Sequence, residues 1–320
     1  MKRILVIGSS NADLVVHVPR MPAVGETVKS LSTDRLSGGK GANQAYACGK
    51  LGGNAAFLSV VGNDEHAEVL IGNLKTAGVD TGRMEKADGC PTGMALIYVN
   101  NQGDNSIVVI PGANERCDVD YLIRQDGAIA ESDIVMLQME IPSDSVYYAI
   151  ERAKELGKTV ILNPAPAPDG IPEEIYRMLD FITPNETELQ RLTGLPIDTE
   201  EKLITAAKTL LSRGVSNVLV TLGAKGAMLL NRDTEKLFAV PRIKAVDTTA
   251  AGDTFNAAFA VRLAGGETYE EAVRFANLAS SLAVSRPGAQ ASVPSLREVL
   301  DFADSLRGVV WGYSSAESCK

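Results

Sequence analysis

The chain has 320 residues, 45% hydrophobic, 22% charged and only 5% aromatic, ordinary globular usage with a core built from Val, Ile, Leu and Ala. Its 31 basic and 40 acidic residues leave a formal charge of −9, which argues against a broad nucleic-acid or anionic-membrane surface because the long-range field repels phosphate. Two histidines, His17 and His66, and four scattered cysteines, Cys48, Cys90, Cys117 and Cys319, form neither a zinc motif nor a disulfide framework, so the thiols read as reduced and the protein as cytoplasmic.

Along the chain, Lys2 and Arg3 precede an apolar run from Ile4 to Ile7 that is too short for a signal peptide. No later run approaches the roughly 20 apolar residues of a membrane span. Similar runs follow at Ala56 to Val61, Ile134 to Leu137, Val160 to Leu162, Phe181 to Ile182 and Val218 to Leu222. Unbroken, β-branched runs of this kind suit strands buried on both faces of a parallel sheet. Between them, Ser143 to Leu156 carries apolar residues at Val146, Ala149, Ile150 and Ala153, and Glu200 to Arg213 at Leu203, Ala206, Ala207, Leu210 and Leu211, both at helical spacing. The alternation predicts a doubly wound α/β fold.

Two segments break the rhythm, Asp13 to Leu36 and Thr92 to Ile110, the second with a hairpin signal at Asn100 to Asp104. They are predicted to pair into a small β lid assembled from discontinuous sequence (about 13–36 and 92–110) on a single domain spanning 1–306. The tail 307–320, with the only tryptophan, Trp311, shows no pattern and reads as a mobile end.

Several turns carry candidate chemistry. Gly38-Gly39-Lys40-Gly41-Ala42-Asn43-Gln44 leads into a helix-compatible run, Ala42 to Leu51, but matches neither GxxxxGK[ST] nor GxGxxG. It is either a flexible turn with a solvated lysine or a loop that brings backbone amides against a ligand. Asn185 is an N-cap candidate that with a nearby carboxylate could organise Mg²⁺ through water. Thr221 to Gly226 is a β-turn or a loop lining a nucleotide. A helix predicted to begin around Ala250 to Gly252 would offer free amides and a positive dipole end to a phosphoryl group. Asp253 in its first turn would either complement that helix end or accept a proton.

In this order, Asn11-Ala12-Asp13, Gly38 to Gln44, Asn163-Pro164-Ala165-Pro166-Ala167, Pro184-Asn185-Glu186-Thr187-Glu188, Thr221-Leu222-Gly223, Asp247 to Asn256 and Gly288-Ala289-Gln290 resemble the ribokinase family of carbohydrate kinases. The resemblance runs from Ile4 to about Phe302. It implies a mostly parallel, doubly wound sheet with a small β lid, and ATP-dependent phosphorylation of the primary (5-) hydroxyl of D-ribose. Asp253 would be the general base, with an anion hole at 250–253 formed with Ala250, Ala251 and Gly252. The resemblance assigns Asn11, Ala12, Asp13, Gly39, Lys40, Gly41, Ala42, Asn43, Glu140 and Asp253 to the sugar. It assigns Asn185, Thr221, Leu222, Gly223, Ala224, Lys225, Gly226, Gly252 and Asn277 to ATP, and Glu188 indirectly to Mg²⁺. It also implies a K⁺ site at Asp247, Thr249, Ala283, Arg286, Gly288 and Ser292, several acting through backbone carbonyls, and a homodimer through the lid.

The wider family often has Gly-Ala-Gly-Asp where this chain has Ala250-Ala251-Gly252-Asp253, a change that leaves backbone donors intact. Deoxyribokinases similar to this chain tend to carry Met where it has the small Ala12, which favours ribose over 2-deoxyribose. The alternatives are a deoxyribokinase, a fructokinase or a nucleoside kinase, and a non-catalytic sugar-binding regulator.

Overall fold

The computed structural model describes residues 1–306; the tail expected to be mobile lies outside the described residues. Six strands run parallel, side by side: Asn54–Leu58, Arg3–Ile7, Ile134–Leu137, Thr159–Leu162, Phe181–Ile182 and Asn217–Thr221. Ala227–Leu230 and Glu235–Phe238 extend this to an eight-stranded sheet by antiparallel pairing. The predicted apolar runs at Ile134–Leu137 and Phe181–Ile182 coincide with their strands. They are apolar throughout because both faces are covered: Leu5 and Ile7 enter one core, Ile4 and Val6 the other.

One run divides. Asn54–Leu58 stays in the main sheet, whereas Val60–Gly62 pairs with Glu85–Ala87 in a separate two-stranded sheet. The chain leaves at Ser59, whose carbonyl accepts from the Glu85 N–H and the Tyr121 hydroxyl, both at 3.2 Å. An apolar run carries no mark of a change of sheet.

The two irregular segments form a four-stranded sheet in the order Ser32–Gly38, Asn11–His17, Met94–Val99, Asn105–Ile110. The hairpin turn is where the sequence signals it, with Asn100 Oδ1 accepting from the N–H groups of Gln102 and Asp104 at 2.9 Å each. No helix among the described residues is long and apolar enough to cross a membrane, and Cys48, Cys90 and Cys117 are free.

The C-terminal ends of the parallel strands lie along one rim, the usual place for ligands in open α/β sheets. This rim carries Ser9, Gln138, Glu140, Asn163, Thr183 and Asn185. Two helices, Lys40–Lys50 and Ala251–Ala264, pack together.

Candidate active site

The Ala251–Ala264 helix starts from Ala250 in the left-handed region at φ 57, the single non-glycine residue with positive φ among the described residues. That conformation costs an L-residue about 1–2 kcal/mol. It turns the chain sharply into the helix, and no side chain caps the start. The Ala251 N–H reaches the Thr248 carbonyl at 3.3 Å and Thr254 N–H reaches Ala250 at 2.8 Å. Between them the N–H groups of Gly252 and Asp253 have no protein partner among the described residues. Gly252 has ordinary φ, and a methyl group placed on it would meet nothing within 4 Å. Neither backbone strain nor packing requires glycine there; the free space lies above unpaired amides at a positive helix end.

Asp253 is 8% exposed. Its Oδ2 accepts from Asn43 Nδ2 at 3.0 Å and its Oδ1 from Gln44 Nε2 at 3.1 Å. Burial pushes its carboxyl above the ordinary range, against the pull of Lys40 and of the Asn43 and Gln44 hydrogen bonds, while Glu140 pushes it further up. A raised pKa with two fixed donors describes an aimed carboxylate that binds a proton more readily than a surface aspartate.

The Gly38–Gln44 segment behaves differently from the ligand-cradling alternative. Gly39 has φ 84, and a methyl group on it would press within 3.0 Å of Asn11 N, Ser10 Cα and Ser9 O. A methyl on Gly41 would lie 2.6 Å from the Gly8 carbonyl carbon and from Ser9 N. These glycines let the helix start press against the end of the first strand. Its amides are already used: Lys40 N–H donates to Glu140 Oε2 at 2.8 Å, Ala42 N–H to the Ser9 carbonyl at 2.8 Å and Asn43 N–H to Gly39 at 2.9 Å. Glu140 is thus the tertiary cap of this helix, and the same oxygen also accepts from the Ser9 hydroxyl at 2.6 Å.

Lys40 Nζ lies 3.9 Å from Glu140 Oε1. Burial would lower its pKa, but Asp253, Glu140, Glu188 and Asp13 together outweigh that and hold it charged. Asp13 accepts from Ala95 N–H at 3.2 Å. Burial, with Glu140 adding, pushes its carboxyl up to about 6 against the opposing Ala95 bond and Lys40 charge. Asn11 is buried, its Oδ1 taken by Asn114 Nδ2 at 2.7 Å. Ala12 and Asp13 also line a cavity of about 570 Å³ between the four-stranded sheet and the Glu65–Thr76 helix. That cavity reaches Gln290 but not Asp253.

Asn185 caps the Glu186–Thr193 helix in a full capping box with Glu188, whose two oxygens accept from the Asn185 N–H at 2.8 Å and Nδ2 at 2.9 Å. Thr221 adjoins it, its N–H on the Pro184 carbonyl at 3.0 Å. The Leu222–Gly226 turn closes by Leu222 N–H to Gly226 at 2.8 Å, with positive φ at Gly223 and Gly226; exposed Ala224 and Lys225 lie between them, and Lys225 Nζ is 3.6 Å from Glu186. Asn277 is buried, with Nδ2 on the Phe238 carbonyl at 2.8 Å. The same carbonyl crowds Gly226, so Asn277 braces the turn from behind.

Asp247 ties two loops together. Its Oδ1 accepts from the Thr249 N–H at 2.9 Å and hydroxyl at 2.7 Å, and its Oδ2 from Gly288 N–H at 2.9 Å. These three bonds outweigh the upward push of burial and hold its carboxyl below the usual range. Arg286 turns its guanidinium to Glu298 at 2.7 Å and its N–H to the Ala283 carbonyl at 3.1 Å. Ser292 closes on Ala289 at 2.7 Å. The sequence reading missed Ser9, Asn114 and Gln138 and gave Gln44 no role beyond closing the glycine-rich motif; these residues hold the candidates in place.

A family model described as pfkB family carbohydrate kinase matches residues 1–296. The chain belongs to the pfkB family of carbohydrate kinases. A ribokinase of Haemophilus influenzae is 38% identical over 301 residues, covering 94% of this chain and 98% of the relative. A deoxyribokinase of Salmonella typhi is equally similar, 38% over 299 residues, covering 93% and 98%. Among solved structures, that of Arabidopsis thaliana ribokinase complexed with ribose and ATP superposes with a TM-score of 0.87 at 37% identity, covering 94% of this chain and 98% of that one. In this carbohydrate kinase the mostly parallel sheet and the small separate sheet are the expected architecture.

Proposed function

We propose that this carbohydrate kinase transfers the γ-phosphoryl group of ATP to the 5-hydroxyl of D-ribose, giving ribose 5-phosphate and ADP. The observation that carries the reading is the buried, aimed carboxylate of Asp253 in the same helix turn as the unpaired Gly252 and Asp253 amides. Asp253 accepts the hydroxyl proton, and the free amides receive the charge developing on the phosphoryl oxygens. Asn11, Asp13, Lys40, Asn43 and Glu140 form the sugar's polar surroundings. Ala12 leaves room for a ribose hydroxyl. Asn185 and Thr221 to Gly226 flank the nucleotide, with Asn277 behind them.

Among the described residues there is no cluster of three or more metal-binding side chains, and both Glu188 oxygens are engaged by Asn185. A Mg²⁺ ion would therefore be held chiefly by the triphosphate, with Glu188 acting through water. The oxygen-rich loops joined by Asp247 fit a K⁺ ion held by Asp247, Thr249 and the carbonyls of Ala283, Arg286 and Gly288, with Ser292 beside them. Such a cation would stiffen the approach to Ala250. The outer strand Asn105–Ile110 leaves Ile107, Val108 and Val109 54–58% exposed beside an unpaired edge. This fits a second copy of the chain covering the lid, and sedimentation that reads a monomer at every concentration would contradict it.

The deoxyribokinase reading has equal identity in its favour. ATP consumption measured against ribose, 2-deoxyribose, fructose and nucleosides separates the readings. Ribose should show the highest kcat/KM, about tenfold or more above 2-deoxyribose, because the missing hydroxyl strands a buried polar partner. Ala12→Met should narrow that gap. Equal efficiencies, or a preference for the deoxy sugar, would overturn the ribose assignment, and the absence of ATP consumption with every acceptor would leave a binding protein.

A further inference from the structure

Asp253 is reached by a chain of buried side-chain amides drawn from distant strand ends. Asn163, just past Thr159–Leu162, donates through Nδ2 to the Thr183 carbonyl at 3.1 Å. A backbone carbonyl can only accept, so the Asn163 amide has one orientation, with Oδ1 directed at Gln44. Gln44 Nε2 donates to that Oδ1 at 3.1 Å and, with its second hydrogen, to Asp253 Oδ1 at 3.1 Å. Its own Oε1 accepts from Gln138 Nε2 at 2.7 Å. Gln44 and Gln138 are fully buried, and Asn163 nearly so.

Both N–H donors and the carbonyl oxygen of the Gln44 amide are therefore engaged, and reversing it would break all three contacts at once. The network is also costly in isolation: Gln138 Oε1 has no hydrogen-bond partner. Its position is open only because residue 8 is glycine, where a methyl group would lie 2.2 Å from that oxygen. A buried acceptor left unsatisfied is unfavourable for folding alone, so stability does not account for Gln138, whose Nε2 donates to Gln44.

We infer that Gln44, oriented by Gln138 and Asn163, is a positioning residue for Asp253: it holds one carboxylate oxygen so that the other lone pairs face the acceptor hydroxyl. Asn43, backed by Gln290 Nε2 at 3.4 Å, holds the second oxygen. The inference rests on Asp253 being the proton acceptor. Lys40 from the same helix, Glu140 from the neighbouring strand end and Glu188 across the rim set the remaining field at Asp253. The Gln44 bond lowers the Asp253 pKa, so its removal moves the acidic limb of the kcat/KM profile to higher pH.

The test measures pH profiles, kcat, ATP affinity and melting temperature for wild type, Gln44→Met, Gln138→Leu and Asp253→Asn. Gln44→Met should lower kcat roughly tenfold or more, leave ATP affinity nearly unchanged and shift the acidic limb upward. Gln138→Leu should do the same to a smaller degree, because it removes the donor to Gln44 Oε1 and loosens an amide that the Asn163 and Asp253 contacts still orient. If Gln44→Met does not fold, Gln138→Leu decides alone. Wild-type kcat and an unmoved limb in the folded variants, whatever their melting temperature, would overturn the inference while Asp253→Asn remains inactive. An active Asp253→Asn would instead overturn the proton-acceptor reading beneath it.

Discussion

Two glycine-bearing helix starts, at Lys40 and at Ala251, serve one rim in opposite ways. At the first, Gly39 and Gly41 are hemmed in by backbone, and the leading amides are taken by Glu140, Ser9 and Gly39. At the second, Gly252 borders open space and two amides have no partner among the described residues. A glycine-rich helix start is thus not by itself a ligand cradle. What separates the cases is whether the protein has already satisfied the N–H groups and filled the space a side chain would take.

The largest expected effect that sharpens this contrast is on turnover. Gly252→Ala should lower kcat by roughly 10²-fold or more, the scale of losing preorganised donors at a charged transition state, because its methyl group fills the ligand's space. Melting should be unchanged or slightly higher, since Ala favours helix over Gly by up to ~1 kcal/mol. Gly41→Ala should do the reverse in kind and destabilise the fold by about 1–3 kcal/mol or more, since its methyl group would meet backbone at 2.6 Å. A Gly252→Ala enzyme that turns over normally, or a Gly41→Ala protein that melts normally, would break the comparison.

A smaller effect concerns K⁺, which would act on the second helix start alone by stiffening the loop from Asp247 to Ala250. At matched ionic strength, activity should rise severalfold when a bulky organic cation is replaced by K⁺. No change would remove the cation from the account.

Much of the scaffold was legible in the sequence. Buried parallel strands are continuous apolar runs, Asn185 and Glu188 sit at capping-box spacing, and Asn100 to Asp104 has turn chemistry; each signal is local. The order of the motifs identified the family. The supports of the site were not legible because their partners are far apart in the chain: Glu140 caps a helix that starts 100 residues earlier, and Gln44 reaches Asp253 across 209 positions. The crowding at Gly39 and Gly41 likewise depends on where the first strand ends. The residue types were visible, but whether an amide meets a ligand or a neighbouring carboxylate is set only by packing.

The measurement that tests the central claim most directly is single-turnover phosphoryl transfer by Asp253→Asn and Asp253→Ala, with ATP affinity titrated on the same samples. Both variants are needed because the two Asp253 oxygens each accept an amide donor, so Asn sets one N–H group against another, whereas Ala removes the acceptor without that clash. Both should bind ATP within about twofold of wild type and lose roughly 10²-fold or more in rate, the lower scale for loss of a general base. Near-normal transfer by either variant would contradict the assignment of proton acceptance to Asp253.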